Sequence, residues 1–227
     1  MMKPGMFAAA LLAALTLLAD EAKPVAELPA KAVLARCQAM LPVKPMELKG
    51  ALVLRNRKGI VRSEYSYTLV LDRSRKPATA AVTIFERDTT NELKSVKLTR
   101  PGEIPPGKVM DTDVSWLDLA LDYLWWNNPR YEERREGESV HGQKCTVILT
   151  DSPDAAQGAK SARLWVDSKN GCIMQVEELN DQGEPFRRLW GTRVKKFGER
   201  WMANVLETET LGSGRRTKIT VESIREL

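Results

Sequence analysis

The stretch "VRSEYSYTLVLDRSRKPATAAVTIFERD" (Val61–Asp88) alternates with a period of two on both sides of a turn. In its first half Tyr65, Tyr67, Leu69 and Leu71 share one face, and Glu64, Ser66 and Thr68 take the other. "SRKP" interrupts the run, after which Ala80, Val82 and Ile84 alternate again. Successive side chains of a strand point to opposite faces, so this pattern predicts an antiparallel hairpin with one buried face. Working outward, "LKGALVLRN" precedes it across the turn "RKG", and "ELKSVKLTR" follows across "TTN". Four strands joined by short turns make a meander.

A second meander occupies the C-terminal half. "RYEERREGESV" turns at "HG" into "QKCTVILTD", and "SARLWVD" and "GCIMQVEEL" form a hairpin over "SKNG", whose Asn-Gly pair is a turn signal. "PFRRLWGTRVKKF", "RWMANVLETETL" and "RTKITVESIREL" complete it, for about ten or eleven strands in all. No strand–helix–strand alternation is present. An antiparallel sheet of this length curls into a barrel or half-barrel, or splits into a sandwich. A curled sheet has a concave face that a buried helix can fill.

Two segments have helical period. "AKAVLARCQAMLP" repeats apolar residues at Val33, Leu34, Cys37, Met40 and Leu41, and Pro42 and Pro45 end it. The second, "SWLDLALDYLWWNNP" (Ser115–Pro129), follows the Pro- and Gly-rich "PGEIPPGKVMDTD" and holds three of the six tryptophans. Ser115 and Asp118 match a capping box, which predicts a helix of about eleven residues from Trp116 to the Asn127–Asn128–Pro129 stop. Trp116, Leu119, Ala120, Tyr123 and Trp126 form one face; Leu117, Leu121, Leu124 and Trp125 cover most of the rest. A helix apolar nearly all round must be enclosed, and this one is too short to span a bilayer. Either it is a permanent core helix, or it is a plug that moves aside to admit acyl chains. Burying a large apolar side chain yields about 1.5–3 kcal/mol, and an acyl chain would restore such contacts one for one. A plug held by non-directional contacts is therefore exchangeable for lipid, whereas one held by a buried polar network is not.

The N-terminus reads as a secretory signal peptide over residues 1–19: Lys3, an apolar run from Met6 to Ala19, then acidic residues. A flexible segment (20–30) and a single domain (31–227) are expected to follow. Asp20 stands where a lipoprotein would carry its lipidated cysteine, so the expected product is periplasmic and not lipid-anchored. The formal net charge of +5 comes from both signs spread along the chain. "RVKK" (Arg193–Lys196) and "RRTK" (Arg215–Lys218) read as solvated strand faces, not as a nucleic-acid arm. His141 is the one histidine, and Cys37, Cys145 and Cys172 form no CxxC pair. That leaves almost no material for a metal centre, a cofactor site or Ser/His or Cys/His catalysis. Asp111, Asp113, Asp118 and Asp122 cluster near the helix start, where aspartates ordinarily serve the cap and dipole. Cys145 and Cys172 open strands that flank a third, too far apart for a disulfide.

"TDVSWLDLALDYLWW", "GESVHGQKCTVILTD" and "ARLWVDSKNGCIMQVEELNDQGEPFRRLWGTRVKKFGERWM" resemble the outer-membrane lipoprotein-sorting protein-like group. These proteins are distant relatives of the periplasmic lipoprotein carrier LolA and its acceptor LolB. The resemblance runs from about Lys31 through "RTKITVESI". It implies a mainly β fold of the α+β class: an incomplete antiparallel β-barrel of about eleven strands with helices plugging the concave face. It implies a non-catalytic monomer that shields acyl chains of lipoproteins or other lipids between an inner-membrane donor and an outer-membrane acceptor. The candidate ligand-binding residues are then Trp116, Leu117, Leu119, Leu121, Tyr123, Leu124, Trp125 and Trp126. A lipid-sensing or protein-binding periplasmic regulator on the same fold is the alternative.

Overall fold

The alternation of Val61–Asp88 becomes two paired strands, with Tyr67 opposite Ile84 and Leu69 opposite Val82. The computed structural model describes residues 27–74, 77–100, 105–135, 137–153, 158–197 and 200–227. The expected signal peptide lies outside them. The first meander comprises β1 (Met46–Asn56), β2 (Val61–Asp72), β3 (Ala78–Glu86) and β4 (Glu92–Arg100). The second comprises β5 (Asn127–Tyr131), β6 (Ser139–Val140), β7 (Gln143–Asp151), β8 (Ser161–Asp167), β9 (Ile173–Leu179), β10 (Pro185–Phe197), β11 (Arg200–Thr210) and β12 (Arg215–Glu226).

The two meanders join where β1 pairs with β12, giving one antiparallel sheet in the order β4-β3-β2-β1-β12-β11-β10-β9-β8-β7-β5, with β6 on β7. Strands β4 and β5 are its two edges, so the barrel is incomplete, as the resemblance implied. The sheet has twelve strands where about eleven were expected, because "RYEERREGESV" is not one strand. The chain leaves β5 after Tyr131, makes a 3-10 turn at Glu133–Arg135, and pairs again only at Ser139. Dense Glu and Arg make poor strand formers, and here Arg135 bonds Glu138 instead, at 2.9 Å. Pro129 falls inside β5, which is tolerable because β5 is an edge.

One face of this sheet is apolar. Leu48, Leu52, Tyr67, Leu69, Val82, Ile84, Leu98, Leu164, Val176 and Ile219 are buried in a single cluster that also holds α1 and the Trp116–Trp126 segment. Helix α1 (Ala30–Met40) buries Ala30, Val33, Leu34 and Cys37, as its period predicts. Its last carbonyls are capped from the sheet: Arg73 Nη1 donates to Gln38 O at 2.7 Å and to Leu41 O at 2.9 Å. The three cysteines are free thiols. Cys37 Sγ donates to Gly171 O at 3.1 Å, and burial pushes its thiol up to about 11.

The seam between the meanders depends on Gly50. A Cβ there would stand 1.8 Å from Thr220 O, at a register shift in the β1–β12 ladder. Backbone cannot yield as a flexible side chain can. Gly50→Ala should therefore lower unfolding free energy by about 3 kcal/mol in urea titrations. Gly191→Ala, whose Cβ meets only Ala203 Cβ at 3.7 Å, should change it by less than about 1 kcal/mol. Equal stabilities for the two variants would contradict the close approach at the seam.

Candidate functional site

The capping box forms as its spacing requires. Asp118 N donates to Ser115 Oγ at 3.3 Å, and Ser115 N donates to Asp118 Oδ2 at 2.8 Å. Helix α2 accordingly starts at Trp116, but it ends at Ala120 after five residues. Leu121 adopts the left-handed conformation, with φ 51°, and Asp122–Trp125 continue as a 3-10 turn. The expected eleven-residue helix is thus two short pieces with a break at Leu121. Its cause is visible in Tyr123, whose hydroxyl lies 2.6 Å from Asp118 Oδ1. Residues five apart on a continuous helix would face directions about 140° apart and could not meet.

Trp116, Leu117, Leu119, Tyr123, Leu124 and Trp126 are buried in the main core, and Leu121 packs against it half-buried. Trp125 is 36% exposed and stands outside that cluster. Tyr123 and Trp126 meet edge to face at 5.3 Å, and Trp126 Nε1 donates to Asp122 Oδ2 at 2.9 Å. Gln38 Nε2 of α1 donates to Leu124 O at 2.7 Å, tying the two helical layers together.

The plug is nonetheless not held by apolar contacts alone. Arg187 of β10 points to the concave face and ion-pairs with both Asp118 and Glu178. Its remaining donors reach Asp113 O at 3.0 Å, Thr208 Oγ1 at 3.1 Å and the Tyr123 hydroxyl at 3.4 Å. Tyr123 also lies 2.8 Å from Glu178 Oε1, so its one proton serves either carboxylate. All four side chains are buried. The plug thus carries a latch, two carboxylates and a phenol on one guanidinium. Burial, then the Asp118 charge, hold the Glu178 carboxyl above its ordinary range against the opposing pull of Arg187. Burial and the two carboxylates hold the Tyr123 phenol well above its usual value.

A second polar cluster lies just before the cap. Asp113 accepts from Lys108 Nζ at 3.1 Å, Thr210 Oγ1 at 3.0 Å and Arg215 Nη2 at 3.3 Å, while its Oδ2 is buried without a hydrogen bond. Asp111 accepts from Ser63 and Tyr65. Each aspartate of the expected cluster therefore holds a loop, a cap or a ring in place. Among the described residues, the indole Nε1 of Trp116 is a buried donor without an acceptor inside the plug.

Arg187 and Glu178 escaped the sequence reading although a signal existed. "VEEL" and "FRRL" each put two like charges side by side in a strand, so one of each pair must face inward. The β9–β10 register makes the match, with Glu178 opposite Arg187 on the concave face and Glu177 opposite Arg188 on the convex face. Trp165 and Trp190 are also convex: Trp165 packs with Val140, Cys145 and Val147, and the Arg216 guanidinium lies 4.9 Å over the Trp190 ring. Surface grooves of about 660 and 480 Å³ are lined mainly by polar and charged residues, and neither is lined by a residue of the plug.

The model of a family described as "-like: Uncharacterized protein" matches residues 62–226. No curated protein matches the chain. Among solved structures, a LolA superfamily protein from Nitrosomonas europaea is 13% identical, with a TM-score of 0.65 over 88% of this chain and 95% of that one. A putative outer membrane lipoprotein-sorting protein domain from Vibrio parahaemolyticus is 15% identical, with a TM-score of 0.65 over 87% and 93%. A DUF1329 family protein from Desulfovibrio piger is 13% identical, with a TM-score of 0.65 over 87% and 91%. The fold is therefore LolA-like, an open half-barrel.

Removing the cation of the latch strands two buried carboxylates. Arg187→Met should cost about 3–5 kcal/mol at neutral pH. The pH dependence follows from the raised Glu178 carboxyl. The folded state takes up that proton before the unfolded chain does, so this contribution to stability is complete at acidic pH and lost as pH rises through the folded-state value. Arg187 opposes the rise, so its loss widens the window. Thermal melts should show Arg187→Met closer to the parent at pH 5 than at pH 8; a pH-independent gap would contradict the buried charge imbalance.

Proposed function

The chain belongs to that uncharacterized-protein family, and we propose that it is a soluble periplasmic carrier, not an enzyme, that shields acyl chains of lipoproteins or other lipids on its concave face. The observation that carries this reading is the continuous apolar lining shared by the sheet and the plug. An acyl chain entering there meets the same leucines, valines and aromatics that now meet Trp116, Leu117, Leu119 and Leu124. The left-handed Leu121 supplies a hinge between two short pieces, each easier to displace than one long helix. The orphaned Trp116 indole N–H favours a ligand with an oxygen acceptor, such as an ester or carboxylate at the head of an acyl chain. Cargo would pass from an inner-membrane donor to an outer-membrane acceptor, in the manner of lipoprotein sorting.

The latch sets the terms of exchange. Acyl chains replace apolar contacts, but they do not replace the Asp118–Arg187–Glu178 pairing. Opening therefore either keeps the latch and swings the segment beyond Leu121, or breaks it with help from a partner. The second route also fits a lipid-sensing or protein-binding regulator on the same fold, in which a bound partner and an open plug go together.

Native mass spectrometry of protein taken from its own cell envelope should show a co-purified acyl species, and a fluorescent fatty acid should bind the purified chain. Tyr123→Phe removes the hydroxyl between the two carboxylates while keeping the ring, a loss of about 1–1.5 kcal/mol. Fatty-acid uptake should then speed up roughly tenfold. Leu121→Glu, with its fold checked by circular dichroism, should lose binding. Transfer of the bound lipid between vesicles supports the carrier, and retention supports the regulator. Absence of both co-purified and added lipid would sink the acyl-chain reading.

A further inference from the structure

One end of the sheet's seam carries an excess of positive charge. Because β1 pairs with β12, the β1–β2 turn and the β11–β12 turn lie side by side, and a groove of about 660 Å³ runs between them. Its walls carry five cations, Arg55, Arg57, Arg215, Arg216 and Lys218, against two carboxylates, Glu207 and Glu209. Both carboxylates are already taken by Arg216, at 3.1 and 3.2 Å. Arg215 is shared with Asp113. Among the described residues no carboxylate pairs with Arg55, Arg57 or Lys218.

Register makes this arrangement costly. Arg55 stands directly opposite Arg216 in the β1–β12 ladder, and like charges in that position repel. The stem of Arg57 lies against the β11–β12 turn, where a Cβ at Gly214 would be 3.6 Å from Arg57 Cβ. Arg55, Arg57 and Lys218 thus line the groove without an ion pair among the described residues, with Glu207 opposite Lys218 in the β11–β12 ladder but bound to Arg216. Solvated lysines and arginines scattered over a surface would avoid the pairing of Arg55 with Arg216; a bound anion would relieve it. Guanidinium forks suit the oxygens of a phosphate group in particular, offering parallel charge-assisted hydrogen bonds.

We propose that this groove is a binding site for a phosphate group, carried either by a lipid headgroup or by a free phosphate. The site is separate from the plug and does not rest on the acyl-chain reading. Of the segments read as solvated faces, "RRTK" supplies three of its residues, and only the fold adds Arg55 and Arg57.

The test uses the whole chain in two arms: calorimetry with inorganic phosphate, and flotation with vesicles of equal parts phosphatidylglycerol and phosphatidylcholine. Arg55→Glu restores an opposite-charge pair with Arg216, so the fold should persist, as circular dichroism would verify. It should weaken binding at least tenfold, and Arg55→Glu/Lys218→Glu further. Lys97→Glu, an exposed lysine outside the groove with the same change in net charge, should leave binding within about twofold of the parent. Binding to vesicles alone identifies a headgroup, and binding to inorganic phosphate shows that the phosphate group suffices; both support the site. Failure to bind in either arm, or equal weakening by Arg55→Glu and Lys97→Glu, overturns it.

Discussion

A buried guanidinium can persist only among acceptors, and Arg187 organises the concave face on that principle. Its ion pairs with Asp118 and Glu178 draw together α2, β9 and β10, and its donor to Asp113 O fixes the loop before the cap. The same Asp118 closes the capping box with Ser115 and accepts from Tyr123. One carboxylate thus starts the helix, anchors it to the sheet and bends the chain at Leu121. Replacement of such a network by apolar groups is often neutral in stability. What the network supplies is position: it gives an otherwise non-directional apolar segment one defined seat on the sheet.

The β9–β10 hairpin shows how register distributes charge between two environments. Glu178 and Arg187 meet on the concave face; Glu177, itself buried, and Arg188 meet on the convex face, 2.7 Å apart, with Arg163 on the next strand 3.7 Å from Glu177. The outer row continues through Glu209 to Arg216, a ladder of alternating sign across neighbouring strands. It ends at the β1–β12 seam, where Arg55 breaks the alternation. Compensation on the sheet and its failure at the seam therefore arise from the same antiparallel pairing.

The aromatic segment combines two properties that the sequence alone sets in opposition. Its burial is that of a core element, yet it is broken into short pieces at the left-handed Leu121 and leaves the Trp116 donor unsatisfied. In a LolA-like half-barrel these properties coexist because the concave face offers a large apolar seat without closing over it.

Much of the architecture was legible in the chain. Period-two alternation located ten of the twelve strands, and helical spacing located α1. The Ser115–Asp118 pair placed the start of α2, because caps and pleats are local and depend on residues a few positions apart. The split of "RYEERREGESV" was not legible, since its pairing depends on what β7 presents to it. Nor was the break at Leu121, which exists because Tyr123 turns back to Asp118, nor the choice of Arg187 over Arg188 for the interior. The sequence by itself determined the antiparallel class and the need to enclose "SWLDLALDYLWW", since alternation and all-round apolarity need no partner to be recognised. Tertiary structure alone decided which charges are buried, which are paired and which are left over at the seam, because electrostatic compensation depends on contacts between residues tens of positions apart in the chain.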